Sequence, residues 1–169
     1  LVVIPPDDPT IWSYFKNFVV PCQWVKEKYQ RFSLTQMVNL HTWAVGIDTD
    51  EFLPQKNKTT DCFIYFKNGS EKTRLELIEF LQKNNLTFTE MRYGSYTQSD
   101  FIEAVGNCKF CVTITDTESQ GIAYQEILSM NVPCYVVDKS VWDYREGYSL
   151  PATSAPYFDK RCGIKCDDL

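Results

Sequence analysis

From Cys62 onward, short apolar runs take turns with segments of helical period, and this alternation restricts the fold more than any other feature. Cys62–Phe66, Leu86 to Arg92, Phe110–Thr115 and Val132–Val137 read as strands. Between them, Lys72 to Lys83, Ser99 to Val105 and Gly121 to Met130 read as helices, the last closed by Asn131. Strands that alternate with helices in this way join through crossovers, so the strands run parallel. The expected fold class is α/β, a Rossmann-like parallel sheet flanked by helices. The final segment, with Tyr157, Phe158 and Cys162-Gly163-Ile164, is expected to add a last strand.

The first part of the chain carries the same signals more weakly. Leu1–Ile4 is apolar and strand-like, Pro5 to Pro9 form a rigid turn, and Ile11 to Phe15 suit a helical turn. Phe18–Val20 follows as a strand. From Gln23, Trp24, Val25, Tyr29 and Phe32 recur at helical spacing, with Lys26, Glu27 and Lys28 on the other side. Val38 to Val45 reads as a further strand ending at Gly46. The polar stretch Gln55 to Thr60 marks a boundary. Trp24 and Trp43 are core candidates, and His41, the only histidine, is expected to be buried and structural. The apolar pattern at the very first residue, without a methionine, implies a piece of a longer gene product.

Charge excludes one class of function. With 17 basic and 22 acidic residues, net charge -5, the chain lacks the basic face of a nucleic-acid binder. No apolar run reaches the roughly 20 residues that span a bilayer. Seven cysteines, mostly in apolar runs, fit reduced thiols in a cytoplasmic protein. Cys108/Cys111 and Cys162/Cys166 are spaced as zinc ligands sometimes are. Lys109 and Phe110, however, fall where a helix gives way to a strand, not in a knuckle turn, so no metal site is expected.

The stretch from Thr117 to Pro133 carries the chemistry. Ligands of open α/β sheets bind beyond the carboxyl ends of the strands, where helices begin. Glu118 lies just past such a strand, and Gly121 removes a side chain where the next helix starts. Free amides of Gln120, Gly121 and Ile122 would face a diphosphate, aided by the helix dipole. Glu126, about 7 Å further along the axis, can accept from both hydroxyls of a ribose diol, and Glu118 from sugar hydroxyls. The plain alternative is an acidic helix start followed by a solvated glutamate.

The run Glu118-Ser119-Gln120-Gly121-Ile122-Ala123-Tyr124-Gln125-Glu126, with Pro133 after it, resembles the Glu-x7-Glu signature of retaining GT-B glycosyltransferases. Asn131 stands where that family usually has Gly, and Asn is the next-best residue at a left-handed helix end. Upstream, Gly46-Ile47-Asp48 with Phe52-Leu53-Pro54 resembles the connector between the two GT-B domains, with Val45 in place of the usual Asn. The resemblance covers about residues 36 to 138. It implies that 1–45 are a remnant of an amino-terminal Rossmann-like domain, 46–60 the connector and 61–169 the nucleotide-sugar-binding domain.

It also implies residue roles. Glu118 would orient the donor sugar as the catalytic-site carboxylate, and Glu126 would hold the ribose. Lys67, with Lys72 or Arg74 as a second cation, would neutralise the leaving diphosphate; the family more often has Arg where Lys67 stands. Tyr93 or Tyr96, in the loop Tyr93-Gly94-Ser95-Tyr96, would stack on the base. The donor is a nucleoside diphosphate sugar, with no separate cofactor and no metal, and the acceptor is a hydroxyl on a glycan, lipid or protein. With most of the acceptor-binding domain missing, donor binding with little or no turnover is expected. Rival readings are a non-catalytic nucleotide-sugar-binding module, a GT-B sugar-nucleotide epimerase, and a receiver-like signalling domain suggested by Asp7-Asp8.

Overall fold

The structure, a computed structural model, describes residues 8–145 and 148–167. The strand expected over Leu1–Ile4 and the residue Asp7 lie outside them. The first unit comprises α1 (Pro9–Tyr14), β1 (Asn17–Val20), α2 (Gln23–Gln30), a 3-10 helix (Ser33–Met37) and β2 (Asn39–Thr42). Asp8 starts it: its carboxylate accepts from Thr10 N and Thr10 Oγ1 as the cap of α1. β1 and β2 pair in parallel, Asn17 opposite Asn39, with α2 as their crossover.

The remainder comprises β3 (Thr60–Lys67), α3 (Glu71–Lys83), β4 (Phe88–Arg92), α4 (Gln98–Gly106), β5 (Cys108–Thr115), α5 (Ile122–Ser129), β6 (Cys134–Val137), β7 (Val141–Arg145), β8 (Tyr148–Pro151) and β9 (Gly163–Cys166). β3, β4, β5, β6 and β9 form one sheet in the order β4-β3-β5-β6-β9, and every pairing in it is parallel. Helices pack on both faces. Successive strand residues point to opposite sides, so Phe63, Tyr65, Cys111 and Val136 meet Phe101 and Val105 of α4 and Ile127 of α5. Cys62, Ile64, Val112 and Ile114 meet Leu77 and Leu81 of α3 on the other face. Each fully buried side chain of this kind contributes about 2 kcal/mol. This is the Rossmann-like α/β arrangement.

Local sequence explains where the helices stop and start. Thr97 and Asp100 form a reciprocal capping box at α4. Ser70 caps α3 through Thr73 N. Both α3 and α5 end on asparagine in the left-handed region, Asn85 at φ 54° and Asn131 at φ 55°. Leu86 N bonds Leu81 O and Val132 N bonds Ile127 O, closing two Schellman motifs.

Two expectations for the first unit are corrected. His41 is exposed, its Nε2 3.2 Å from Asn17 Oδ1, and Trp43 is 70% exposed. Leu40 turns inward against Trp24, Val25 and Tyr29, so the period of two sends 41 and 43 outward. Trp12 takes a core place instead, together with Trp24. The antiparallel hairpin of β7 and β8 and the 3-10 helix carry no sequence signal of the kind that marks the other elements. Trp142 of the hairpin lies 6.1 Å from the Trp24 ring and 3.5 Å beneath the Lys28 ammonium, which joins the hairpin to the first unit. Burial brings the Lys28 ammonium down to about 8.

The segment from Gly46 to Pro54 is anchored to the body of the chain. Asp48 Oδ1 accepts from Asp50 N and Glu51 N, Phe52 is buried in the core, and Ser129 Oγ of α5 donates to Phe52 O.

Candidate functional site

β5 ends at Thr115, and the chain turns through Glu118 into α5 at the carboxyl end of the sheet. Two hydrogen bonds fix the Glu118 backbone: its N–H donates to Thr153 O at 2.9 Å, and its carbonyl accepts from Trp24 Nε1 at 2.9 Å. The first unit and the segment after β8 therefore both hold this residue in place. The Glu118 carboxylate, 15% exposed, pairs with Lys67 Nζ at 2.7 Å, and Lys67 is 25% exposed. Lys67 is the last residue of β3, so its strand aims it at the same end of the sheet. Its ammonium also lies 4.5 Å from the centre of the Tyr93 ring.

Gly121 is the N-cap of α5 at φ 61°, a conformation that favours glycine, and it offers no side chain to cap the helix. The space a Cβ would take here is not left for a ligand. A Cβ on Gly121 would lie 2.0 Å from Cε1 of Tyr124, whose hydroxyl donates to Pro156 O. The side chain that Gly121 lacks therefore does not open the backbone to a ligand. Glycine is required there by the positive φ and by the aromatic ring folded over it. Gln120 turns its side chain toward the segment after β2, Oε1 accepting from Val45 N at 3.1 Å.

Glu126 sits on the second turn of α5 and faces the same space. Burial, reinforced by the Glu51 carboxylate, raises its carboxyl to about 7. Tyr96 stacks on Phe101 with ring centres 5.4 Å apart, and its hydroxyl shares a 3.2 Å hydrogen bond with that of Tyr65. Burial pushes both phenols above their ordinary range, so neither competes as an anion.

These groups border one cleft of about 580 Å³. Of the residues singled out from the sequence, Lys67, Tyr93, Tyr96, Glu118, Gln120, Gly121, Ile122 and Glu126 all line it. Lys72 does not. It is 84% exposed and pairs with Glu76, while Arg74 is taken up by Glu71 and Glu90. The reason is that α3 packs on the sheet face opposite α4 and α5, so its first turn is directed away from the cleft. Tyr65, Thr115 and Tyr124 also line the cleft and were not anticipated. For Tyr65 and Thr115 the signal is parity: Tyr65 and Lys67, like Thr113 and Thr115, share one face of their strands.

Acceptors and donors are sorted within this space. The two carboxylates suit hydroxyl groups, whereas Lys67 and the first-turn amides of α5 suit an anion. Among the described residues no three His, Cys, Asp or Glu side chains gather as a metal would require. All seven cysteines are free thiols. An apolar groove of about 560 Å³ lies under α3 on the other face, lined by Leu77, Phe80 and Tyr135 among others, and lacks this mixture of donors and acceptors. No helix among the described residues is long and apolar enough to cross a membrane. No protein-family model, curated protein or solved structure matches the chain, so the geometry of the cleft carries the functional reading.

Proposed function

We propose that this chain is the nucleotide-sugar-binding half of a retaining GT-B glycosyltransferase. The observation that carries the reading is the opening of Glu118 and Glu126 onto one cleft, with the start of α5 between them. In this reading the nucleoside diphosphate rests against the first turn of α5 and Lys67. Glu126 accepts from the ribose diol, and Glu118 orients the sugar. Tyr93, exposed at the rim, is the aromatic surface offered to the base; Tyr96, stacked on Phe101, supports the wall behind it.

Departure of the diphosphate draws on amide and ammonium donors already aimed at the developing charge, a role that needs no metal. In the free protein Glu118 is paired with Lys67, so a bound donor shares that pair: phosphate takes the cation and sugar hydroxyls take the carboxylate. The acceptor is a hydroxyl on a glycan, lipid or protein, bound largely by the other half, and this chain alone binds donor with little or no turnover. A cytoplasmic setting accompanies the reading, as free, mostly buried thiols suit a reducing compartment.

Titration calorimetry with UDP, GDP and ADP sugars tests it. Binding by the wild-type chain that is lost in Glu126→Ala supports the assignment. Retained binding in that variant, or none in the wild type, refutes it. Robust sugar transfer by this chain alone would refute the division of labour between the halves.

A further inference from the structure

Among the described residues, Thr113 Oγ1 and Thr115 Oγ1 are buried hydroxyls without a hydrogen-bond partner. Buried polar groups are nearly always satisfied, so each exception calls for a reason. The two residues lie on β5 with their side chains on the α4 and α5 face, alternating with Val112 and Ile114 on the other. Their surroundings differ. Thr113 is level with Tyr65 in the strand register, in the interior of the sheet, and does not reach the cleft. Thr115, 6% exposed, is level with Lys67 and forms part of the cleft floor.

We propose that Thr115 is a ligand-binding residue whose hydroxyl donates to an oxygen of the diphosphate lying between Lys67 and the first turn of α5. This rests on the nucleoside diphosphate reading of the cleft and adds to it a donor that the Glu-x7-Glu pattern does not contain. The sorting of groups favours phosphate over sugar as its partner. Thr115 is level with Lys67 in the strand register and lines the same cleft as the start of α5, so a phosphate that takes Lys67 from its pair with Glu118 is placed on the Thr115 side of the cleft. An anionic oxygen accepts from a hydroxyl more strongly than a neutral one does. A hydrogen bond to the ligand then satisfies a hydroxyl that the surrounding protein leaves unpaired.

Thr115→Val tests this, since it removes the hydroxyl and keeps the branched shape. The probe is whichever of UDP, GDP or ADP binds the wild type most tightly, together with the sugar ester of that diphosphate. Thr115→Val is expected to weaken both about tenfold, the measure of one hydrogen bond to a charged acceptor, with a melting temperature equal to or above that of the wild type. Thr115→Ser is expected to bind within about threefold of the wild type. Thr113→Val, the internal control, is expected to raise the melting temperature and leave binding unchanged. If Thr115→Val binds as tightly as the wild type while Glu126→Ala does not, the inference fails and the parent reading stands. A penalty confined to the sugar ester would assign Thr115 to the sugar and overturn the proposal. Wild-type protein that binds none of the three diphosphates would overturn both.

Discussion

Replacing Glu126 with glutamine should stabilise this protein by an amount that grows as pH rises from 4.5 to about 7 and is constant above that. The Glu126 carboxyl titrates at about 7 instead of the usual 4.5, because burial penalises the charged form and Glu51 adds repulsion. Between those two values the folded chain holds a proton that the unfolded chain has released. Stability therefore falls as pH rises from the lower value to the higher and is level beyond it. A rise from 4.5 to about 7 corresponds to about 3 kcal/mol at 1.36 kcal/mol per tenfold change. Glu126 is only half buried, and solvent screening reduces the figure to about 1–2 kcal/mol. Glutamine keeps the shape and cannot ionise.

Urea unfolding of the two proteins measures the difference directly. The variant should be about 1–2 kcal/mol more stable near pH 8 and indistinguishable near pH 4, below the unfolded-state value. Equal stability near pH 8, or a variant that is weaker throughout, would refute the reasoning, for it would mean that the carboxylate is stabilised where it sits. The same property bears on ligand binding. A diol that donates to Glu126 favours its ionised form, so binding near neutral pH should release a proton, and the apparent heat should change with the ionisation enthalpy of the buffer.

Three further outcomes follow from the geometry. Gly121→Ala places a Cβ 2.0 Å from the Tyr124 ring at a positive φ and should cost about 2–3 kcal/mol in urea unfolding; a loss below about 1 kcal/mol would show that the ring is free to move aside. Asn131→Gly, at the left-handed end of α5, should raise stability by about 0.5–1 kcal/mol and Asn131→Val should lower it. Cys162 and Cys166 are half-exposed while the other five thiols are buried, and burial pushes Cys22 and Cys108 up to about 11 and Cys62 to about 12. A thiol-specific disulfide reagent should therefore modify those two quickly in the native protein and all seven only after unfolding.

The parallel Rossmann-like sheet was readable in the chain because it rests on local signals. Apolar runs and helical spacing located β3 to β6 and the three helices between them. Asn131 in its left-handed turn marks a helix end whose hydrogen bonds reach only a few residues along the chain, whereas α4 starts at Gln98, one residue before the expected Ser99, because Thr97 caps it. The same locality put Glu118 and Glu126 on either side of a helix start. The hairpin of β7 and β8 escaped notice because what it contributes is packing, Trp142 against Trp24 across more than a hundred residues. Trp43 and His41 face outward against expectation because residue type says little about which face of a two-stranded sheet meets α2.

The sequence by itself therefore determined the alternation of elements, their caps and the helix on which the two glutamates are carried. Only the tertiary structure decided which side chains share the cleft. Lys67, Thr115 and Tyr65 enter it because β3 and β5 lie in a particular register with particular faces toward α5, whereas Lys72 and Arg74 leave it because α3 crosses to the other face. The physical reason is one of range. Backbone propensity and capping act within a turn or two of the chain, but the direction in which a side chain points into shared space is set by packing between segments that only the folded sheet brings together.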